Sequence, residues 1–181
     1  MRRALIGALI LGLFVALPPS PQAAMPEWQV CFTPGGQCTD LILSEIKNAR
    51  DSILVQAYSF TSVPILAALK AAHARGIDVE VIVDKSSARP SPSGSRYSAA
   101  TYLANAGIPV WVDAKVAIAH NKVMVVDGAV VITGSFNFTA AAQKRNAENL
   151  LVISDPGLAT EYRENWERRR AASVPYRPNP A

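Results

Sequence analysis

The period of apolar and polar positions changes along the chain, and the changes mark out its elements. "WQVCFT" (28–33) reads as a strand and "TDLILSEIKNAR" (39–50) as a helix with Thr39 or Asp40 as N-cap. "SILVQAYSF" (52–60) is an apolar run of strand length, while "SVPILAALKAAHARG" (62–76) has helical spacing, opened by Ser62 and closed by Gly76. "DVEVIVD" (78–84) alternates with period two, as a half-buried strand does. "KSSARPSPSGS" (85–95) is too polar and too broken for an element. "RYSAATYLANAG" (96–107) predicts a helix ended by Gly107, followed by a strand in "IPVWVD" (108–113). "KVMVV" (122–126) and "AVVIT" (129–133) flank Asp127-Gly128, a pair that predicts a two-residue hairpin turn. "NLLVIS" (149–154) predicts the last strand and "LATEYRENWERRRAA" (158–172) a basic C-terminal helix. Strands joined by helical crossovers predict an α/β fold: a mixed β-sheet flanked by helices, to which the hairpin adds an antiparallel pair. There is no internal repeat, and one domain is expected over 25–181.

Composition changes this picture at the N-terminus. The chain has 181 residues and is half hydrophobic, which suits a globular core. Part of that hydrophobicity lies in Ala4 to Leu17, behind Arg2 and Arg3 and before Pro18 and Pro19. A basic start, a short apolar run and a small-residue end predict a secretory signal peptide over 1–24; an uncleaved anchor is the alternative. The expected location is periplasmic or secreted, with no stable membrane association once the segment is removed. Cys31 and Cys38 flank "FTPGGQ", whose Pro-Gly-Gly turn can bring them together. In an exported protein such a pair is read as a disulfide, contributing roughly 2–3 kcal/mol by closing the loop. No further ligands of that type follow, so no metal site is expected.

The formal charge is +4, and +2 without residues 1–24, which is too small to name a partner. Its distribution says more. From Lys85 to Lys122 the bases Lys85, Arg89, Arg96, Lys115 and Lys122 face a single acid, Asp113. A basic stretch leading into a polar motif suits a phosphate-rich ligand, and equally a solvated face. Lys85, Arg89 and Arg96 are the candidate nucleic-acid contacts.

The motif is "HNKVMVVDGAVVITGSFNFT" (120–139). His120 and Lys122 share one face of a strand. Ser135 and Asn137 leave the return strand beyond Gly134, at the end of the hairpin where His120 lies. Four polar groups can therefore converge on one rim, and "TAAAQK" (139–144) behind them can start a helix whose free N–H groups favour an anion. A cation, an imidazole and two hydrogen-bonding side chains describe a phosphate pocket, and imidazole can attack phosphorus directly. Asp127 belongs to the tight turn and is read as structural.

The spacing H-x-K-x(4)-D-x(6)-G-S-x-N, filled here at every fixed position, resembles the signature of the phospholipase D superfamily. The chain's length and single motif copy are similar to the small, EDTA-resistant bacterial endonucleases of that family. The resemblance implies a phospholipase D-like fold and a phosphodiesterase without cofactor. It implies His120 as nucleophile, Lys122 and Asn137 on the phosphate oxygens, Ser135 close by, and Glu148 as the acid that hydrogen-bonds the imidazole. Relatives with two motifs supply two histidines; one motif per chain implies a homodimeric site. DNA is the expected partner, with RNA left open. A phospholipid phosphodiesterase and a nucleic-acid-binding module without catalysis are the alternatives. His73, in "HARGIDVE", lacks a following Gly-Ser-x-Asn and is read as a boundary residue of its helix.

Overall fold

The computed structural model describes residues 27–88 and 98–178. The elements run β1 (Glu27–Thr33), α1 (Cys38–Asn48), β2 (Ser52–Ala57), α2 (Val63–Ala74), β3 (Asp78–Asp84), α3 (Ala99–Asn105) and β4 (Val110–Asp113). They continue with β5 (Lys122–Val126), β6 (Val130–Gly134), α4 (Ala140–Lys144), β7 (Glu148–Ser154), α5 (Pro156–Ala171) and β8 (Val174–Pro175). The strands form one eight-stranded sheet in the order β1-β7-β6-β5-β2-β3-β4-β8. β2, β3 and β4 are parallel, and every other neighbouring pair is antiparallel. The sheet is thus mixed, as the alternation of patterns predicts.

Period two decides which residues meet which layer. Ile53 and Val55 of β2, Val79, Val81 and Val83 of β3, and Met124 and Val126 of β5 point to one face. There they pack with Ile42 and Ile46 of α1, Ile65 and Leu69 of α2, and Leu103 of α3. The opposite face carries Val123, Val125 and Val131 under Ala159 of α5. Two of the four arginines of α5 are spent on the sheet beneath. Arg169 pairs with Asp113, and Arg170 reaches Glu80 at 2.9 Å while its guanidinium lies 5.5 and 5.3 Å from the rings of Trp111 and Trp166. Buried Trp166 donates its indole N–H to Val55 O at 2.9 Å.

Local differences from the sequence expectation have tertiary causes. α1 begins at Cys38, so neither Thr39 nor Asp40 caps it; the Thr39 N–H is met instead by Gln143 Oε1 at 2.8 Å. β2 ends at Ala57 rather than Phe60, because beyond Tyr58, whose N–H reaches Asn121 O at 2.8 Å, the chain leaves the ladder. The hairpin connection has three residues, not two. Val126 lies opposite Val130, with Asp127, Gly128 and Ala129 between them. Asp127 and Gly128 both take positive φ, 51° and 60°, and Ala129 N–H closes the turn onto Val126 O. Neighbours hold both sides of the turn: Asp127 N–H donates to Ser52 O, and Ala129 O accepts from Asp155. β8, which the pattern does not show, pairs with β4, so β7 is not the last strand. Cys31 and Cys38 are joined as a disulfide. The predicted signal segment over 1–24 lies outside the described residues.

Asp127 fastens the end of the sheet opposite His120. Its carboxylate accepts from the N–H groups of Arg50 (3.0 Å), Asp51 (2.8 Å) and Ser52 (3.0 Å), just where α1 hands over to β2. Asp127→Ala removes that acceptor and leaves a residue ill suited to positive φ. It is expected to cost about 1–3 kcal/mol in urea unfolding, with Asp127→Asn losing less. A loss below about 0.5 kcal/mol, the scatter of ordinary surface substitutions, would show that the three N–H groups are content with water.

Candidate active site

The rim at which β5 begins and β6 ends is built by alternation. Beyond Gly134, Phe136 and Phe138 are fully buried, so the residues between and before them, Ser135 and Asn137, are turned outward. Phe138 is anchored twice: its ring packs edge-on against Phe60 at 5.6 Å, and its carbonyl accepts from Thr61 and Ser62 N–H, each at 2.9 Å. Gly134 is required by close approach. With φ at 146°, a Cβ there would lie 2.3 Å from Asn149 O. That same carbonyl accepts from Ser135 and Phe136 N–H at 3.1 and 3.2 Å, which bends the chain from β6 into the site.

His120 is exposed at the mouth and Lys122 lies beneath it, 6% exposed. Lys122 Nζ sits 2.9 Å from each ring nitrogen of His120 and donates to its carbonyl at 2.9 Å. The ring lone pairs diverge, so one ammonium serves one of them at a time. Tyr58 closes the other side, its ring 4.6 Å from the imidazole and 5.2 Å from Lys122 Nζ. Burial holds the Lys122 ammonium below the ordinary lysine range, and the charge of Glu148 acts in the opposite direction. Glu148, at the start of β7, accepts from Ser135 Oγ at 2.6 Å and from Asn146 Nδ2 at 2.9 Å. Ser135 Oγ in turn accepts from Asn149 N–H at 3.0 Å. The Asn137 side-chain oxygen is buried with no hydrogen-bond partner among the described residues; a phosphate oxygen, itself an acceptor, would be met by the N–H₂ side of the same amide.

Of these, His120, Lys122, Ser135, Asn137 and Glu148 line one open cleft of about 670 Å³, together with Asn121, Val123, Thr133, Gly134 and Tyr162. The structure therefore brings His120, Lys122, Ser135, Asn137 and Glu148 together. Two sequence expectations come out differently. The Glu148 carboxylate is engaged by Ser135 and Asn146 rather than by the imidazole. The start of α4 offers no anion site: the helix is five residues long, Thr139 Oγ1 takes Ala142 N–H at 3.1 Å, and its first turn does not line the cleft. Lys85 donates to Val116 O at 3.1 Å, so one of its three N–H donors is engaged within the chain. Arg89 and Arg96 lie outside the described residues. His73 sits in α2, away from the cleft. Sequence reasoning missed Tyr58 and Tyr162. Tyr58 follows a strand shared by both halves of the sheet, a position where α/β sites gather and the one signal that could have found it. Tyr162 comes from α5 and carried no local signal.

A buried cation, an amide, a hydroxyl and an exposed imidazole around one concavity fit a phosphate diester, with a nucleophile beside the phosphorus. Among the described residues no group of three or more His, Cys, Asp or Glu side chains is placed to hold a metal ion.

Comparison with known proteins agrees with this geometry. The family described as cardiolipin synthase, PLD-like domain, matches residues 42–170. A protein named phospholipase D from Rickettsia bellii is 45% identical over 150 residues, 83% of this chain and 72% of that one. Among solved structures, the phospholipase D family member Nuc from Salmonella typhimurium superposes with a TM-score of 0.77 at 42% identity, covering 85% of this chain and 100% of Nuc. NucT from Helicobacter pylori gives 0.73 at 25% identity, covering 84% and 100%. The match across most of the sheet, the motif hairpin included, shows that the chain belongs to the phospholipase D superfamily and is one of its phosphodiesterases.

Proposed function

We propose that the protein hydrolyses nucleic acid, DNA foremost, as a metal-independent endonuclease working through a phosphohistidine on His120. The observation that carries this reading is the convergence of His120, Lys122, Ser135, Asn137 and Glu148 on one cleft. The likeness to Nuc and NucT over their whole lengths favours nucleic acid. An imidazole nitrogen attacks phosphorus, a P–N bond forms, and the P–O bond to the leaving strand breaks as that oxygen takes a proton from an acid. Water then attacks phosphorus, the P–N bond breaks, and the water proton returns to the group that gave one up. Lys122 neutralises the non-bridging oxygens, supplying the positive charge that a metal ion brings elsewhere, and the Asn137 amide N–H₂ orients them. Export to the periplasm or medium fits the Cys31–Cys38 disulfide and the apolar run from Ala4 to Leu17.

The cycle needs a nucleophile and an acid, and this chain has one histidine in its cleft. A second copy would supply the other His120 across a two-fold axis. The sheet supports such a contact. α5 lies over β6, β5, β2 and β4, leaving Trp28, Val30 and Phe32 of edge strand β1 exposed on the same face, beside half-buried Leu151 and Ile153. A second reading, phospholipid as substrate, is favoured by the name of the Rickettsia relative.

Incubation with supercoiled plasmid and, separately, phosphatidylcholine vesicles in millimolar EDTA tests the substrate. Plasmid nicking is expected, with His120→Ala lower by several orders of magnitude. Loss of nicking on chelation, or head-group release without nicking, would overturn the nuclease reading. Co-expression of wild-type and His120→Ala chains tests the shared site: activity should fall as the square of the wild-type fraction, and a linear fall would show that each chain is complete. The pH profile tests Lys122. A lysine whose pKa lies below the ordinary value is cationic only below that lowered pKa, so kcat/KM should decline on an alkaline limb beginning there. Glu148 opposes the depression, so Glu148→Gln should move this limb to lower pH, and a limb that stays or rises contradicts the assignment.

A further inference from the structure

The segment 114–121, which delivers His120 from β4 to β5, has no regular secondary structure, and Ile118 and His120 within it are exposed. A nucleophile on such a segment needs outside support, since a displacement of about 1 Å can cost a hundredfold in rate. Lys122 Nζ and Tyr58 N–H hold the segment's far end at His120 O and Asn121 O; the support before His120 comes from two adjacent residues at the end of β3. Asp84, 3% exposed, divides its carboxylate: Oδ1 accepts from Ser86 N–H (2.8 Å) and Ser86 Oγ (2.6 Å), and Oδ2 accepts from Ala119 N–H at 2.8 Å. The first set is an ordinary turn at a strand end. The second is not required by that turn: it reaches 35 residues along the chain to the amide that immediately precedes His120. Lys85 adds the bond to Val116 O.

Beneath the segment lies a polar floor in the middle of the sheet. Gln56 and Asp113, 3% and 1% exposed, join Asp84, Ala119 and Asn121 and the strand residues Ile82 and Val83 around a small, partly open space of about 10 Å³, roughly the room of one water molecule. Both side-chain polar atoms of Gln56 are buried without a partner among the described residues. Packing between Ile82 and Val123, its neighbours in β3 and β5, would favour an apolar residue there. Polar atoms are thus concentrated under one loop, and that loop carries the nucleophile.

We propose that Asp84 and Lys85 are positioning residues of this phosphodiesterase, holding the main chain at Ala119 and Val116 so that the His120 imidazole faces the phosphate. The inference rests on the reading of His120 as the nucleophile. Burial pushes the Asp84 carboxyl up, but the Ser86 and Ala119 hydrogen bonds and the Lys85 charge outweigh it, so the group is held below the usual carboxylate range as a charged acceptor.

The test measures kcat and KM for bis(4-nitrophenyl) phosphate, alongside the ¹⁵N imidazole signals, which two histidines make simple to assign. Asp84→Asn keeps one oxygen and cannot serve both Ser86 and Ala119. It should lower kcat about 10- to 100-fold with KM within about twofold, and shift or broaden the His120 signals. Ser86→Ala, which loses only a turn bond, should stay within about twofold of wild type in both readouts. Should Asp84→Asn fail to fold, Lys85→Met decides: a positioning role lowers kcat on this small substrate and leaves the salt dependence of DNA binding unchanged, whereas a phosphate contact does the reverse. Unchanged kcat in folded Asp84→Asn, or equal losses in Asp84→Asn and Ser86→Ala, would overturn the proposal. If His120→Ala retains activity, the nucleophile reading fails by itself, and the imidazole signals still report whether Asp84 orders the loop.

Discussion

One seam of hydrogen bonds governs the molecule: β2 against β5, where the parallel half of the sheet meets the antiparallel half. Because the two strands run in opposite directions, the carboxyl end of β2 lies beside the amino end of β5. A site at the carboxyl ends of parallel strands therefore coincides with the open end of a hairpin. Ala57 lies opposite Lys122, and the next bond, Tyr58 N–H to Asn121 O, continues the seam to the residue beside His120. The far end is pinned by Asp127 onto residues 50–52, so the register cannot slip. A slip of one residue would turn His120 and Lys122 to the other face.

The polar rim is expensive and is supported accordingly. Lys122 is nearly buried, and the Asn137 oxygen has no partner among the described residues. Phe136 and Phe138, driven into the core on either side of Asn137, hold it outward against that cost. Ser135 cannot turn freely, since it accepts from Asn149 and donates to Glu148. Such preorganisation matters for a charged transition state, because dipoles already aimed need no rearrangement during reaction.

The periphery is tied to this centre through Gln143. Its side chain donates to Gly36 O, inside the loop that the Cys31–Cys38 disulfide closes, and accepts from Thr39 N–H just after it, both at 2.8 Å. Thr33 Oγ1, at the end of β1, lies 2.9 and 3.0 Å from Ala142 O and Asn146 O and shares its one proton between them. α4 is thus held from the N-terminal edge of the sheet, and Asn146, just beyond it, holds Glu148. A five-residue helix would not persist in isolation; here these contacts stand in for length.

Much was legible in the sequence because it is written in local periodicity and spacing. Alternation in 78–84, helical spacing in 62–76 and the positive-φ pair Asp127-Gly128 act between residues a few positions apart, and they placed most elements and the mixed sheet. The fixed spacing from His120 to Asn137 brought the core of the site with it, since a hairpin returns the chain to its starting end. What only the tertiary structure decided was the choice of partner for each polar group. Gln143 rather than a local cap meets the start of α1, Ser52 and Asp155 bind the hairpin turn from either side, and Glu148 turns to Ser135 and Asn146. Lys85 is drawn into the chain and Asp84 reaches Ala119. A hydrogen bond depends on distances of tenths of an ångström between atoms that can lie a hundred residues apart, and no local pattern carries that information until the sheet has closed.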